Sequence, residues 1–208
     1  MIFLDLKTSG PNPEKHGILS FAVVDSKRAE TGSREYYKSY KLELGRDKRM
    51  ESGYLEMYGF EERDVRNPSQ TKKPKKVLKE LVEWMQRASE DNLAGLNLEK
   101  KLKFLKKAMQ ENDVSWPFNE QYIDLFTTAI NAYKIERVEV PKKGKGIELS
   151  FDQILWSVGL ERVEEMPSAL EDAMLEAEAY FRLVYGKNLI KSLRGNFMEV
   201  RGFENYPK

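Results

Sequence analysis

The chain starts with an apolar run, Ile2-Phe3-Leu4-Asp5-Leu6-Lys7, that carries two charges. Side chains alternate across a strand, so Asp5 and Lys7 share one face while Leu4 and Leu6 share the other. The run breaks at Thr8-Ser9-Gly10, followed by Pro11-Asn12-Pro13. Both charges therefore sit near the carboxyl end of a strand, where the ligand clefts of open α/β sheets lie. Taken alone, the residues read first as a same-face ion pair on an edge strand. Gly17 to Val24 reads as a second, buried strand, and Glu35 to Leu44 as a third whose imperfect alternation sets Tyr36, Tyr40 and Leu42 on one face. The expectation is a three-stranded meander.

Helical spacing takes over at Met50 to Tyr58 and at Pro74 to Ala88, the second with Val77, Leu78, Leu81, Val82 and Met85 on one side and lysines on the other. Asn92 to Leu96 reads as a short strand leading into a helix from about Leu98 to Asn112, buried through Leu102, Leu105, Ala108 and Met109. Tyr122 to Tyr133 is apolar enough for a strand or a helix, and its period does not decide between them. Arg137 to Glu148 reads as an exposed basic loop, Phe151 to Val158 and Ser168 to Tyr185 as helices, and Lys187 to Lys208 as a polar tail dotted with aromatics. The order of elements predicts an α/β or α+β domain without internal repeats.

At 208 residues and 40% hydrophobic content, the chain can bury one sizeable core. Its 35 Lys and Arg nearly cancel its 34 Asp and Glu, so any nucleic-acid site has to be a local patch. The absence of cysteine excludes disulfides and thiolate chemistry, and a single histidine, His16, argues against a His-rich metal site or a Ser-His-Asp triad. His16 itself reads as a solvated turn residue. No apolar run approaches the ~20 residues of a membrane-spanning helix, and the first residues lack the features of a signal peptide. The expectation is a cytoplasmic protein with no membrane partner.

Three segments together resemble a known pattern. Leu4-Asp5-Leu6-Lys7-Thr8-Ser9-Gly10 is similar to the Asp-x-Glu-Thr-Thr-Gly motif of the DnaQ-like (DEDDh) 3′→5′ exonuclease superfamily. Leu93-Ala94-Gly95-Leu96-Asn97 through Leu105 resembles its second motif, and Ser168-Ala169-Leu170-Glu171-Asp172-Ala173 its third. Met57-Tyr58-Gly59-Phe60 through Val65 resembles the connector between the first two. The resemblance implies an RNase H-like α/β fold over residues 1–186, with a mixed central sheet (the three-stranded meander plus a further strand or strands) flanked by helices, and residues 187–208 as a C-terminal extension.

The family's chemistry uses two divalent cations about 4 Å apart, held by carboxylates, with a histidine activating water. Position by position, the resemblance places the first-motif aspartate on Asp5 but its glutamate on Lys7. The second-motif aspartate falls on Lys101 and the preceding phenylalanine on Lys100; the third-motif aspartate falls on Asp172, and the histidine on Pro167. Four carboxylates would carry −4, which two divalent cations neutralise, whereas Asp5, Asp172, Lys7 and Lys101 sum to zero without metal. An ammonium beside an aspartate holds it ionised and competes with a metal for its oxygens. The implied site is catalytically degenerate and needs no cofactor; Mg²⁺ or Mn²⁺ on Asp5 and Asp172 would belong only to a weak or rearranged 3′→5′ exonuclease. Glu99, Glu164, Glu165 and Glu171 lie near the matched positions as displaced-ligand candidates, and His16 as a displaced base; Glu171, beside Asp172 on a helix, points about 100° away from it.

Nucleic acid, as a single strand or a 3′ end, is then the expected partner, held by Lys7, Thr8, Ser9, Tyr58, Phe60, Asn97, Lys100 and Lys101. Lys72, Lys73, Lys75, Lys76, Lys142, Lys143 and Lys145 are candidate flanking contacts. The alternative is a protein-interaction subunit of a replication, repair or RNA-processing complex. There the charged residues form only a buried network, and the tail, with Phe197, Phe203 and Tyr206, is the contact surface or folds back on its own domain.

Overall fold

The computed structural model describes residues 1–162, 166, 168–193, 200–203 and 206. In chain order the elements are β1 (Ile2–Thr8), β2 (Ile18–Asp25), α1 (Ser26–Glu30), β3 (Tyr37–Lys41), α2 (Ser52–Met57), α3 (Glu62–Val65), α4 (Pro74–Met85) and β4 (Leu93–Gly95). They continue with α5 (Leu98–Glu111), β5 (Tyr122–Asp124), α6 (Leu125–Ile135), β6 (Lys142–Lys143), β7 (Gly146–Ile147), α7 (Phe151–Ser157) and α8 (Ala169–Tyr185), before a 3-10 turn at Lys191–Leu193.

Five strands form one mixed sheet in the order β3-β2-β1-β4-β5. β1 and β2 are antiparallel, as are β2 and β3, which is the expected meander; β4 and β5 run parallel to β1. The carboxyl ends of β1, β4 and β5 therefore share one edge of the sheet.

Alternation along β1 divides the core. Ile2, Leu4 and Leu6 pack with Val77, Leu78 and Leu81 of α4 and Leu102 and Leu105 of α5, whereas Phe3, with Ala22 and Val24 of β2, packs against α6, α7 and α8. Asp5 and Lys7 share the parity of Phe3 and so face α8. That helix begins at Ser168, whose hydroxyl accepts from the Glu171 amide at 3.1 Å, and ends at Gly186 in the left-handed region (φ 61°).

Several expectations need correcting. The undecided stretch Tyr122 to Tyr133 is both kinds of element: β5 pairs with β4, then Asp124 turns the chain into α6 by accepting from the Thr127 amide at 3.2 Å. The basic stretch Arg137 to Glu148 is exposed, but Lys142–Lys143 and Gly146–Ile147 close it into a hairpin. The third strand covers only Tyr37–Lys41, and Tyr36, before it, packs with the α8-side cluster rather than beside Tyr40 and Leu42. His16 is buried, not solvated: its Nδ1 accepts from the Asn12 amide at 3.0 Å, and its ring lies so close to Gly10 that a Cβ there would stand 2.4 Å from it.

The described part of the tail folds back on the domain. Leu189 and Ile190 are buried, and both donate their amides to Glu178, at 2.9 and 2.6 Å. Arg182, paired with Glu178 at 2.8 Å, donates to the Leu193 carbonyl. Phe203 packs edge-on to Tyr133, and Tyr206 edge-on to Trp156. Phe197 lies outside the described residues. Among the described residues, no helix is long and apolar enough to cross a membrane.

Candidate functional site

Three elements and one irregular segment meet at the carboxyl edge of β1. β1 contributes Asp5 and Lys7, α5 contributes Lys101, and α8 contributes Asp172 and, one turn on, Glu176. Arg162 reaches in from the segment that follows α7.

Lys7 is paired with Asp172 Oδ2 and lies 2.9 Å from Asp5 Oδ2. Lys101 lies 2.7 Å from Asp5 Oδ1 and donates to Glu176 Oε1 at 2.7 Å and to the Leu4 carbonyl at 3.4 Å. Each ammonium thus bridges two carboxylates, with Asp5 shared between them. Arg162 closes the outer side, 3.1 Å from Asp172 Oδ1 and 3.0 Å from Asp152.

The cluster is buried: Asp5 is 4% exposed, Lys7 5%, Asp172 4% and Glu176 1%. Burial alone would discharge Asp5, yet Lys101 and Lys7 outweigh it and hold the carboxyl below its usual range. In the same way burial disfavours both ammoniums, but Asp5 with Asp172 raises Lys7, and Asp5 with Glu176 raises Lys101. Glu176 goes the other way: burial outweighs Lys101 and pushes it up to about 8, and its Oε2 has no hydrogen-bond partner among the described residues.

Gly95 makes room for that carboxyl. A Cβ there would lie 2.8 Å from the Leu4 carbonyl oxygen and 2.9 Å from Glu176 Oε2. Gly95→Ala is expected to cost about 1–3 kcal/mol by overpacking, read as a lower urea midpoint with an unchanged m-value.

The other residues singled out from the sequence stand in different surroundings. Thr8 and Ser9 are committed to the turn: Thr8 donates to the Gly10 carbonyl at 2.9 Å, and Ser9 donates to the Arg49 carbonyl at 2.7 Å while accepting from the Gly17 amide. Tyr58, Asn97 and Lys100, together with Thr8, line the cavity above the cluster, which measures about 180 Å³. The Lys7 ammonium lies 5.2 Å from the Tyr58 ring centroid, Asn97 precedes α5 in the left-handed region (φ 50°), and Lys100 is exposed. Phe60 packs with Leu19, Leu44, Leu55 and Val65 and lines a neighbouring cavity of about 240 Å³. Pro167, Glu164 and Glu165 lie outside the described residues. Glu99 is exposed and paired with Lys103, and Glu171 stands in the first turn of α8.

Lys73, Lys75 and Lys76 open or precede α4, which packs on the sheet face opposite Asp5 and Lys7, and Lys72 pairs with Glu80. Lys142, Lys143 and Lys145 belong to the exposed hairpin. Sequence reasoning missed Glu176 and Arg162. The first carried a signal, because four residues after Asp172 on a helix is the same face one turn along; the second carried none. Among the described residues, no three His, Asp or Glu side chains converge in a way that could hold a metal ion.

No protein-family model and no curated protein matches the sequence. Solved structures do match. Exonuclease I of E. coli in complex with a dA16 oligonucleotide is 15% identical and superposes with a TM-score of 0.67 over 89% of this chain and 40% of that one. An ExoI/SSB-Ct complex (14% identity, TM-score 0.65) and a moderately thermophilic Exonuclease I from Methylocaldum szegediense (16%, 0.65) each match over 89% of this chain and 41% of theirs. The chain thus spans about two fifths of the length of these structures. The likeness extends across nearly all of this chain and lies in backbone architecture: the protein has the mixed-sheet α/β, RNase H-like fold of the matching part of exonuclease I.

Proposed function

We propose that the chain is a catalytically degenerate relative of the DnaQ-like 3′→5′ exonucleases that holds single-stranded nucleic acid, or its 3′ end, across the former active-site groove without cutting it. One observation carries this reading: Lys7 and Lys101 each bridge two buried carboxylates at the positions where the family pattern has metal-binding acids. A pair of divalent cations does not fit this donor set. Both Asp5 oxygens and both Asp172 oxygens already face a cation of the protein, and a metal among them would lie against an ammonium. A proline at position 167 accepts no proton, so the motif also lacks a general base. The matched exonuclease I structure bound to dA16 supports nucleic acid as the ligand.

The test uses 3′-labelled single-stranded DNA and RNA in Mg²⁺ and in Mn²⁺. The natural chain is expected to leave the label in place, and a Lys7→Glu, Lys101→Asp, Pro167→His variant to release it. Degradation by the natural chain would overturn the degenerate reading in favour of a rearranged nuclease.

A second reading is favoured by the inward orientation of the two lysines, which leaves the groove less positive than its lysine count suggests. In that reading the network fixes the fold of a protein-interaction subunit, in line with the ExoI/SSB-Ct complex among the matched structures. A chain that fails to bind either oligonucleotide, with an equally silent triple variant, would favour it.

A further inference from the structure

We infer, on the nucleic-acid reading above, that the phosphates of a bound single strand are neutralised by Lys41 and Lys100 rather than by the motif lysines Lys7 and Lys101. The charge balance of the site points there. Lys7 and Lys101 each face two carboxylates, and Arg162 lies between Asp152 and Asp172, so none of the three has uncompensated charge for a phosphate.

Lys41 and Lys100 do. Both are exposed, and neither has a carboxylate partner among the described residues; the Lys100 ammonium lies 5.6 Å from the Tyr54 ring centroid. Sheet register sets Lys41 in line with the site, because Lys7 pairs with Ser20 and Ser20 with Lys41. All three side chains stand on the same face, with Lys41 two strand spacings, roughly 10 Å, from Lys7. Lys41 lines the 240 Å³ cavity and Lys100 the 180 Å³ one, and the two cavities share Lys7 and Tyr58.

A track therefore crosses the carboxyl edge of the sheet with one uncompensated cation towards each end and the half-buried Tyr58 ring between them. That arrangement suits a short single strand: phosphates on the lysines and a base on the tyrosine, read by charge and stacking rather than by base edges. The one acid lining the Lys41 end, Asp64, lies 3.8 Å from Arg63.

The experiment is fluorescence anisotropy of the full chain with labelled oligo(dT) and oligo(U) of roughly ten nucleotides, within the usual range of single-strand site sizes, over a series of salt concentrations. On single strands the slope of log K against log salt is about 0.7 per neutralised phosphate. Lys41→Gln and Lys100→Gln are each expected to flatten the slope by about 0.7 and the double variant by about 1.4. Lys79→Gln, on the opposite layer, leaves it unchanged, and Tyr58→Leu weakens binding at constant slope. All of these side chains are exposed or half-buried, so the variants keep the fold. A double variant that binds with the natural slope would overturn the assignment to Lys41 and Lys100 while leaving nucleic-acid binding in place. A natural chain that binds neither oligonucleotide would overturn both.

Discussion

Lys7→Met is expected to lower the stability of the folded chain by about 3 kcal/mol, near the bottom of the range for breaking a buried ion pair. Methionine fills nearly the same volume, so the cost is electrostatic. The ammonium that Asp5 and Asp172 share disappears, and both carboxylates stay buried with one cation each, Lys101 and Arg162 respectively. The remaining partners keep the loss from reaching the upper end of that range. Removing the charge that is left behind should recover part of it: Lys7→Met with Asp172→Leu exchanges a buried pair for apolar contact, which is often close to neutral. Urea midpoints of the three proteins at constant m-value measure both effects. A Lys7→Met chain within about 0.5 kcal/mol of the natural one, the usual range for surface changes, would mean that the cluster is solvated.

Glu176→Gln is expected to make the chain more stable in alkaline solution and to leave it nearly unchanged in mild acid. Burial keeps the proton on Glu176 up to about pH 8, with Asp5 and Asp172 adding to that effect and Lys101 opposing it, against 4.5 for the free side chain. Between those two values the folded chain binds a proton that the unfolded chain has lost. Its stability therefore falls as pH rises from about 4.5 to about 8 and levels off above that. Glutamine retains the neutral form and removes the dependence, so the two stability curves meet near pH 5 and separate by a few kcal/mol at pH 9. Parallel curves across that window would show that Glu176 is ionised at neutral pH. The protonated state also sets the charge of the site: Asp5, Asp152 and Asp172 then cancel Lys7, Lys101 and Arg162, so the cluster itself offers an anionic strand no net charge.

The parts of the fold that were legible from sequence are those set by strong periodicity. Period-two alternation in β1 correctly put Asp5 and Lys7 on one face, and the 3.6-residue period of α4 and α5 gave their buried faces. Placing Lys101 and Asp172 beside Asp5 required more than period, since they come from separate helices; the motif resemblance supplied it, and the distances agree. Short elements escaped because they depend on local hydrogen bonds: α1 is a short helix capped by Asp25, and β5 is three residues paired with β4 at the sheet edge. His16 was misread because its burial comes from Gly10 leaving room for the ring, a contact that no spacing encodes. Arg162 enters from an irregular segment, where sequence offers no period at all.

Whether ammoniums truly stand in for divalent cations is tested most directly by titrating Mn²⁺ into the natural chain and into the Lys7→Glu, Lys101→Asp variant, with bound metal read by electron paramagnetic resonance. The natural chain is expected to show no saturable site at the cluster, and the variant, with two acids restored beside Asp5 and Asp172 to make four, to bind Mn²⁺ tightly. Saturable Mn²⁺ binding by the natural chain that is abolished by Asp172→Asn would contradict the substitution of lysine for metal on which the proposed function rests.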